Sequence, residues 1–168
     1  FDFVPTSDTI SFKYVFGSEE YLEFVASFND AFGFFLSGPN PTGGMYVDQN
    51  LAIVPGTANT PVSIFNVNNV SNSAYYVDNG DGFTAPQNSD PTVIQFDGFT
   101  TPLTATAAVN CGDTYHIKLV VAGSTCGACD APPDWIGLKT LEDIDLLIAL
   151  KLPNIGASAS SITFLLCF

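Results

Sequence analysis

Along this chain, apolar residues alternate with polar ones in short stretches, and clusters of turn formers end each stretch. Phe12, Tyr14 and Phe16 are separated by Lys13 and Val15, the period of a strand that buries one face. Residues 1–4 and 9–16 read as two strands joined by Pro5, Thr6, Ser7 and Asp8, a turn-rich tetrad that suggests a hairpin. Residues 31–37 resume the apolar pattern through Phe32, Phe34 and Phe35, and the run from Gly38 to Gly44, with two prolines, ends it. Short strands are predicted over 50–54 and 61–65, on either side of Pro55, Gly56 and Thr57, and again over 74–77. The amide-rich run 66–73 reads as a structured loop, since Asn and Ser side chains bond local backbone. Asp78, Asn79, Gly80, Asp81 and Gly82 form a turn signal because these residue types tolerate positive φ. Further strands are expected at 92–96, broken by Asp97 and Gly98, then at 103–109 and 113–122. In the last of these, Tyr115, Ile117 and Leu119 fall on one face and His116 and Lys118 on the other.

About nine short strands at this spacing predict an all-β fold, an antiparallel β-sandwich of jelly-roll-like character. Beyond residue 122 the pattern changes. Residues 123–134 form a Cys- and Pro-bearing loop, and Leu141, Ile144, Leu147 or Ile148, and Leu152 fit a helical stripe, predicting a short helix near 141–150. Residues 162–168 read as a final apolar strand. Between the strands at 9–16 and 31–37 lie Glu19, Glu20, Glu23, Asn29 and Asp30, which this order holds at one end of a sheet. Residues 19–27 fit either a helical turn, with Tyr21, Phe24 and Val25 on one face, or a loop lying on the sheet edge, which the surrounding composition favours.

The run VFGSEEY…FV…FNDAFGFFLSGP, followed by NLAIVPGT, PVSI, NVNN, FDGFT, LTA and CGDTYHIKLVVA, resembles the choice-of-anchor L domain of bacterial secreted and surface proteins. The likeness spans residues 1–122 in consistent order. It implies an extracellular all-β module attached to surface or secretion signals, with no established catalytic activity. After residue 122 the family continues through an Asp-rich loop into one closing strand, and only Asp130 and Asp134 stand for those acids here.

With 168 residues, 46% of them hydrophobic, the chain is long enough for one domain with a full core. A single domain over 1–168 is expected, its divergent part, 123–168, completing the fold. Fifteen Phe and six Tyr against 12% charged residues agree with a sheet-rich interior. Four Lys and no Arg against seventeen acids give a net charge of −13, which repels phosphate backbones and argues against a nucleic-acid partner. No apolar run of ~18 residues is present, so no transmembrane segment is expected. The start at Phe1, without a signal peptide, reads as a chain beginning after processing or inside a longer protein.

Cys111, Cys126, Cys129 and Cys167 form an even set in a chain of secreted character, so disulfides are expected. Of the three connectivities, Cys126 with Cys129 and Cys111 with Cys167 is favoured. The C-G-A-C spacing also suits zinc or redox chemistry, but neither a βαβ context nor a second ligand pair accompanies it. Calcium is the expected use of the acids: a hard cation takes about six to eight oxygens, often from loops. Glu19, Glu20, Asn29 and Asp30 offer one set and Asp78, Asn79 and Asp81 a second, although Ser89 stands where an EF-hand would close with Glu.

His116, the single histidine, sits mid-strand, and no G-x-S-x-G pattern surrounds a serine. Glu19, Glu20, Glu23 and Asp30 are the acids available to a glycosidase, whose carboxylate pair must stand ~5 to 9.5 Å apart. No catalytic residues are assigned. Trp135, Tyr75 and Tyr76 are the candidate rings for a carbohydrate platform. The expected function is a non-enzymatic structural or adhesive module at the cell surface or secreted from it, with surface proteins, glycans or further copies of itself as partners. Two alternatives stand beside it: a filament subunit that donates an edge strand such as residues 161–168, and a calcium-dependent glycan-binding module.

Overall fold

The computed structural model describes residues 1–80, 96–123, 146–151 and 163–167. Its strands in chain order are β1 (Asp2–Phe3), β2 (Thr9–Ser18), β3 (Ala31–Pro39), β4 (Met45–Asn50), β5 (Val62–Ser63), β6 (Tyr76–Asp78), β7 (Gly98–Thr100), β8 (Leu103–Ala108), β9 (Tyr115–Ala122), β10 (Leu146–Lys151) and β11 (Thr163–Cys167). One turn of 3-10 helix, Ser73–Tyr75, precedes β6. The strands form two antiparallel sheets. The first runs β1-β9-β3-β4, with β5 also on β3, and the second runs β11-β10-β2-β7-β6, with β8 also on β2.

Period-2 patterning explains how the sheets face each other. Ile10, Phe12, Tyr14 and Phe16 of β2 point inward from the second sheet, and Phe32, Phe34 and Leu36 of β3 do so from the first. Rings meet across the gap, Phe12 to Phe34 at 4.8 Å and Tyr14 to Phe32 at 5.3 Å between centroids, so the two central strands form the middle of a sandwich. Tyr115 and Ile117 of β9 and Leu103 and Ala105 of β8 extend this core, each large side chain contributing ~1.5–3 kcal/mol by leaving water. Lys13, Thr104, Thr106, His116 and Lys118, at the alternate positions, are exposed. The expected facing of β2 and β9 is therefore observed.

At the edge of the first sheet, β4 is kinked. Its register with β3 shifts between Leu36 and Gly38, and Asp48 adopts φ +45°. The Asp48 carboxylate bonds the Ser37 hydroxyl and pairs with Lys118 at 2.9 Å, and the Lys118 hydrogen bond holds its pKa below the ordinary carboxylate value.

Several expectations are corrected. The first two strands are not a hairpin: β1 pairs with β9 in one sheet while β2 is central in the other. The strand expected at 50–54 lies earlier, at β4, leaving only an isolated bridge between Ile53 and Pro61. Gly98, taken as a strand breaker, opens β7, and 92–95 lie outside the described residues. The helix predicted near 141–150 is replaced over its second half by β10, which pairs with β2 from Ser18 and Leu146 to Lys13 and Lys151. In a short apolar run, helical and strand spacing are degenerate, and the open edge of β2 decides between them. The apolar tail is a strand as expected, β11, which pairs with β10 of its own chain from Leu147 and Cys167 to Lys151 and Thr163.

Candidate functional site at the loop end of the sandwich

Cross-strand register gathers several chain segments at one end of the molecule. Ser18, the last residue of β2, is paired with Gly98, and Gly98 in turn with Asp78. On the facing sheet, Ala31 at the start of β3 is paired with Ala122 at the end of β9. The buried Ser18 hydroxyl donates to Asp30 Oδ2 at 2.6 Å and accepts the Glu20 N–H at 2.9 Å. A short bond from a hydroxyl to a carboxylate is among the stronger hydrogen bonds, and here it joins the two sheets where β2 ends and β3 begins. Asp30 is only 7% exposed, and a Cβ on Gly123 would lie 3.0 Å from its Oδ1.

The loop after β5 is fastened to the loop before β3. The Ile64 N–H donates to the Asp30 carbonyl at 3.0 Å, the Phe65 N–H to Asn29 Oδ1 at 3.4 Å, and the Tyr21 hydroxyl to the Val67 carbonyl at 2.7 Å. Buried Asn68 fixes the rest, donating to the Ile64 and Phe65 carbonyls and accepting the Val70 and Ser71 N–H groups. This is the structured loop that the amide-rich run predicted. Beneath it the Tyr21 and Tyr76 rings lie 4.9 Å apart, and Gly98 leaves room for both: a Cβ there would lie 2.7 Å from each. Burial pushes both phenols above their ordinary pKa. Tyr76 and Asp30 add to the rise for Tyr21, and Asp78, Asp97 and Glu23 for Tyr76.

Over this base the surface is apolar and acidic. Residues 20–28 close helical turns, with the Phe24 N–H on the Glu20 carbonyl and the Phe28 N–H on the Phe24 carbonyl, so residues 19–27 take the turn alternative. Phe24 is 39% exposed, with its ring edge-on to Phe28 at 5.1 Å; Phe65 is also 39% exposed and Val70 83%. Glu23 is exposed beside them.

The expected calcium ligands are brought to this end but are engaged in the fold. Asp30 holds Ser18 and Asn29 holds Phe65, as above. Asp78 Oδ1 accepts the Gly80 N–H at 2.9 Å, and Asn79 bonds Asp97 and Phe96 carbonyls at 2.8 Å. Among the described residues no three His, Cys, Asp or Glu converge as a metal-ligand set. Asp81 lies outside the described residues. Tyr75 and Tyr76 are half-buried against the core, and Trp135 lies outside the described residues. His116 Nδ1 pairs with Asp2 Oδ1 at 2.6 Å on an outer sheet face.

The cysteine pairing is corrected in part. Cys111 is free and exposed. It follows β8, whose Ala108 is level with Thr9, whereas Cys167 is level with Leu147 and thus Gly17. Eight residues of β2 separate those levels by ~26 Å, while a disulfide requires Cα atoms within ~7 Å. Cys126 and Cys129 lie outside the described residues.

Ser18, Phe65 and Val70 were not singled out in the sequence, and Phe24 was named only as part of the apolar face of a helical turn. Ser18 has one signal, a hydroxyl at the strand end where the carboxylate run begins. Phe24 sits in a segment without strand period and Phe65 at the end of the strand predicted over 61–65, and in both places an aromatic residue reads as core by default.

The family model described as the choice-of-anchor L domain matches residues 1–132. No curated protein and no solved structure matches the chain. No helix among the described residues is long and apolar enough to cross a membrane.

Proposed function

Because the chain belongs to the choice-of-anchor L domain family, whose members are secreted or cell-surface modules, we propose that it acts as a non-enzymatic adhesive module outside the cell. The loop end carries this reading. Phe24, Phe65 and Val70 are exposed on loops whose backbone is held by Tyr21, Asn29 and Asn68. Apolar groups already held in place lose little freedom on contact with a partner, which favours binding. The motif residues support the same reading: Ser18 and Asp30 bond each other, and Asp78 caps a turn, so their oxygens build the surface.

The test is retention of purified domain on an envelope fraction of the producing cells, with and without Phe24→Ser and Phe65→Ser together. Retention that the double variant loses is the expected result, and no retention of the intact domain removes the adhesive reading. Filaments of the purified chain in electron microscopy would replace it with an assembly role, calcium-dependent binding on a glycan array with a lectin role, and substrate turnover abolished by Glu20→Gln with an enzyme.

A further inference from the structure

We propose that the loop end docks an apolar, lysine- or arginine-bearing segment of a partner protein, with Phe24, Phe65 and Val70 as the apolar floor and Glu23 at the rim. The inference rests on the adhesive reading and names its partner by chemistry.

Among the described residues, exposed large apolar side chains fall into three groups. Phe1 and Val4 flank β1, Met45 and Val47 lie on β4, and Phe24, Phe65 and Val70 share the loop end. Only the third group is carried by two loops bonded to each other: Phe65 N–H to Asn29, Ile64 N–H to the Asp30 carbonyl, and Tyr21 hydroxyl to the Val67 carbonyl. The chain segment bearing Phe24 and Phe28 therefore runs beside the one bearing Phe65 and Val70. Phe28 packs edge-on against Phe24 and steadies a ring that water would otherwise leave free to turn.

Charge then selects the occupant. Glu19, Glu20, Glu23, Asp30, Asp78 and Asp97 are the described acids of this end. The described lysines lie elsewhere: Lys13 and Lys151 are cross-strand neighbours midway along β2, and Lys118 pairs with Asp48. Asp78, Asp97 and Glu23 act together on the buried Tyr76 phenol, so they stand near one another, and Glu23 and Asp78 are exposed. With a chain net charge of −13, this end attracts cations and repels acidic polymers. Phenylalanine faces add a cation–π contribution for an ammonium or guanidinium group. A neutral sugar would use the rings and amides alone, and its binding would not depend on salt, whereas a cationic segment is released as salt screens the field.

The experiment uses the whole chain with three probes: a short peptide alternating lysine and leucine, the same peptide with glutamate for lysine, and an array of neutral glycans. The lysine peptide is expected to bind, weakening as salt rises, and the glutamate peptide not to bind. Phe65→Ser with Val70→Ser should weaken the lysine peptide about tenfold, as loss of apolar anchors does, and Glu23→Gln should weaken it less. Asp8→Asn and Asp113→Asn, at the opposite end, should change nothing. Val70→Ser alone, at 83% exposure, serves as the variant that cannot unfold the core, and unchanged melting is checked for each. Equal weakening by Asp8→Asn or Asp113→Asn overturns the proposal in favour of general charge attraction. Glycan binding that the loop variants lose, without lysine-peptide binding, overturns it in favour of a sugar site. Envelope retention without lysine-peptide binding overturns this partner and leaves adhesion standing, and absence of both overturns both.

Discussion

Tyr14, Tyr21 and Tyr115 are each 1% exposed in the same core, and one substitution should move stability in opposite directions at the three. The Tyr21 hydroxyl donates to the Val67 carbonyl at 2.7 Å. That of Tyr115 donates to the Pro39 carbonyl and accepts the Asn110 N–H, both at 2.8 Å. The Tyr14 hydroxyl is buried with no hydrogen-bond partner among the described residues, its ring against Phe32. A buried polar group left unpaired costs about 1–3 kcal/mol, whereas a made bond contributes a net ~0.5–1.5 kcal/mol. Tyr14→Phe removes the unpaired group and leaves the ring, so a gain of about 1 kcal/mol is expected, at the low end because contacts around the oxygen are lost. Tyr21→Phe loses a bond and strands the Val67 carbonyl, a cost of ~1–3 kcal/mol. Tyr115→Phe loses two bonds and should cost most. For a chain of this size, 1 kcal/mol moves Tm by ~2–4 °C. Urea unfolding at equal m slopes would rank the variants: Tyr14→Phe above the parent, Tyr21→Phe below and Tyr115→Phe lowest. A Tyr14→Phe midpoint below the parent, with Tyr21→Phe unchanged, would refute hydroxyl partnering as the governing term.

Three further outcomes are expected. Ser18→Ala takes from buried Asp30 the hydroxyl held at 2.6 Å and should cost about 2 kcal/mol in urea unfolding; a change within error would mean that this bond does not join the sheets. Gly98→Ala places a methyl 2.7 Å from the Tyr21 and Tyr76 rings, so a loss of ~1–3 kcal/mol and altered near-ultraviolet circular dichroism are expected, against little change for Gly98 if the rings can separate. Asp48 has a folded-state pKa held down, first by its hydrogen bond from Lys118, so its contribution is present above the unfolded carboxylate pKa and lost as pH falls through the folded value. In a carboxyl NMR titration, Lys118→Met should move the Asp48 midpoint upward, and an unmoved midpoint would count against the Lys118 bond as the cause.

Much of the core was legible in the sequence because Phe12, Tyr14 and Phe16, and later Tyr115 and Ile117, keep a strict period of two, and one buried face fixes such strands. Where strands bury little or lie at edges, the signal fails: β4 exposes Met45, Val47, Asp48 and Gln49 and reads as a polar loop. The segment LLIALK of β10 carries apolar residues at both spacings, and its partner β2 lies too far along the chain for local pattern to point to it. At the site, the acids were found and their work was not. Asp30 looks like a loop carboxylate until β2 and β3 are placed face to face and Ser18 meets it. Exposure of Phe24 and Phe65 depends on which loop lies over which, which composition does not encode.

The central strand β2 waits longest for its partners. Its neighbours are supplied by β8, where Thr9 meets Ala108, by β7, where Ser18 meets Gly98, and by β10, where Ser18 meets Leu146. A chain emerging N-terminus first therefore presents Phe12, Tyr14 and Phe16 with both strand edges bare until β7 and β8 have been made, and with one edge bare until β10 follows. Pairings so distant in sequence carry a high loop-closure cost and slow folding, and an unpaired apolar strand is a template for aggregation meanwhile. Folding of β2 into its sheet is therefore complete only after the C-terminal strands arrive. A truncation at residue 132, where the family match ends, would remove β10 and leave one edge of β2 permanently open.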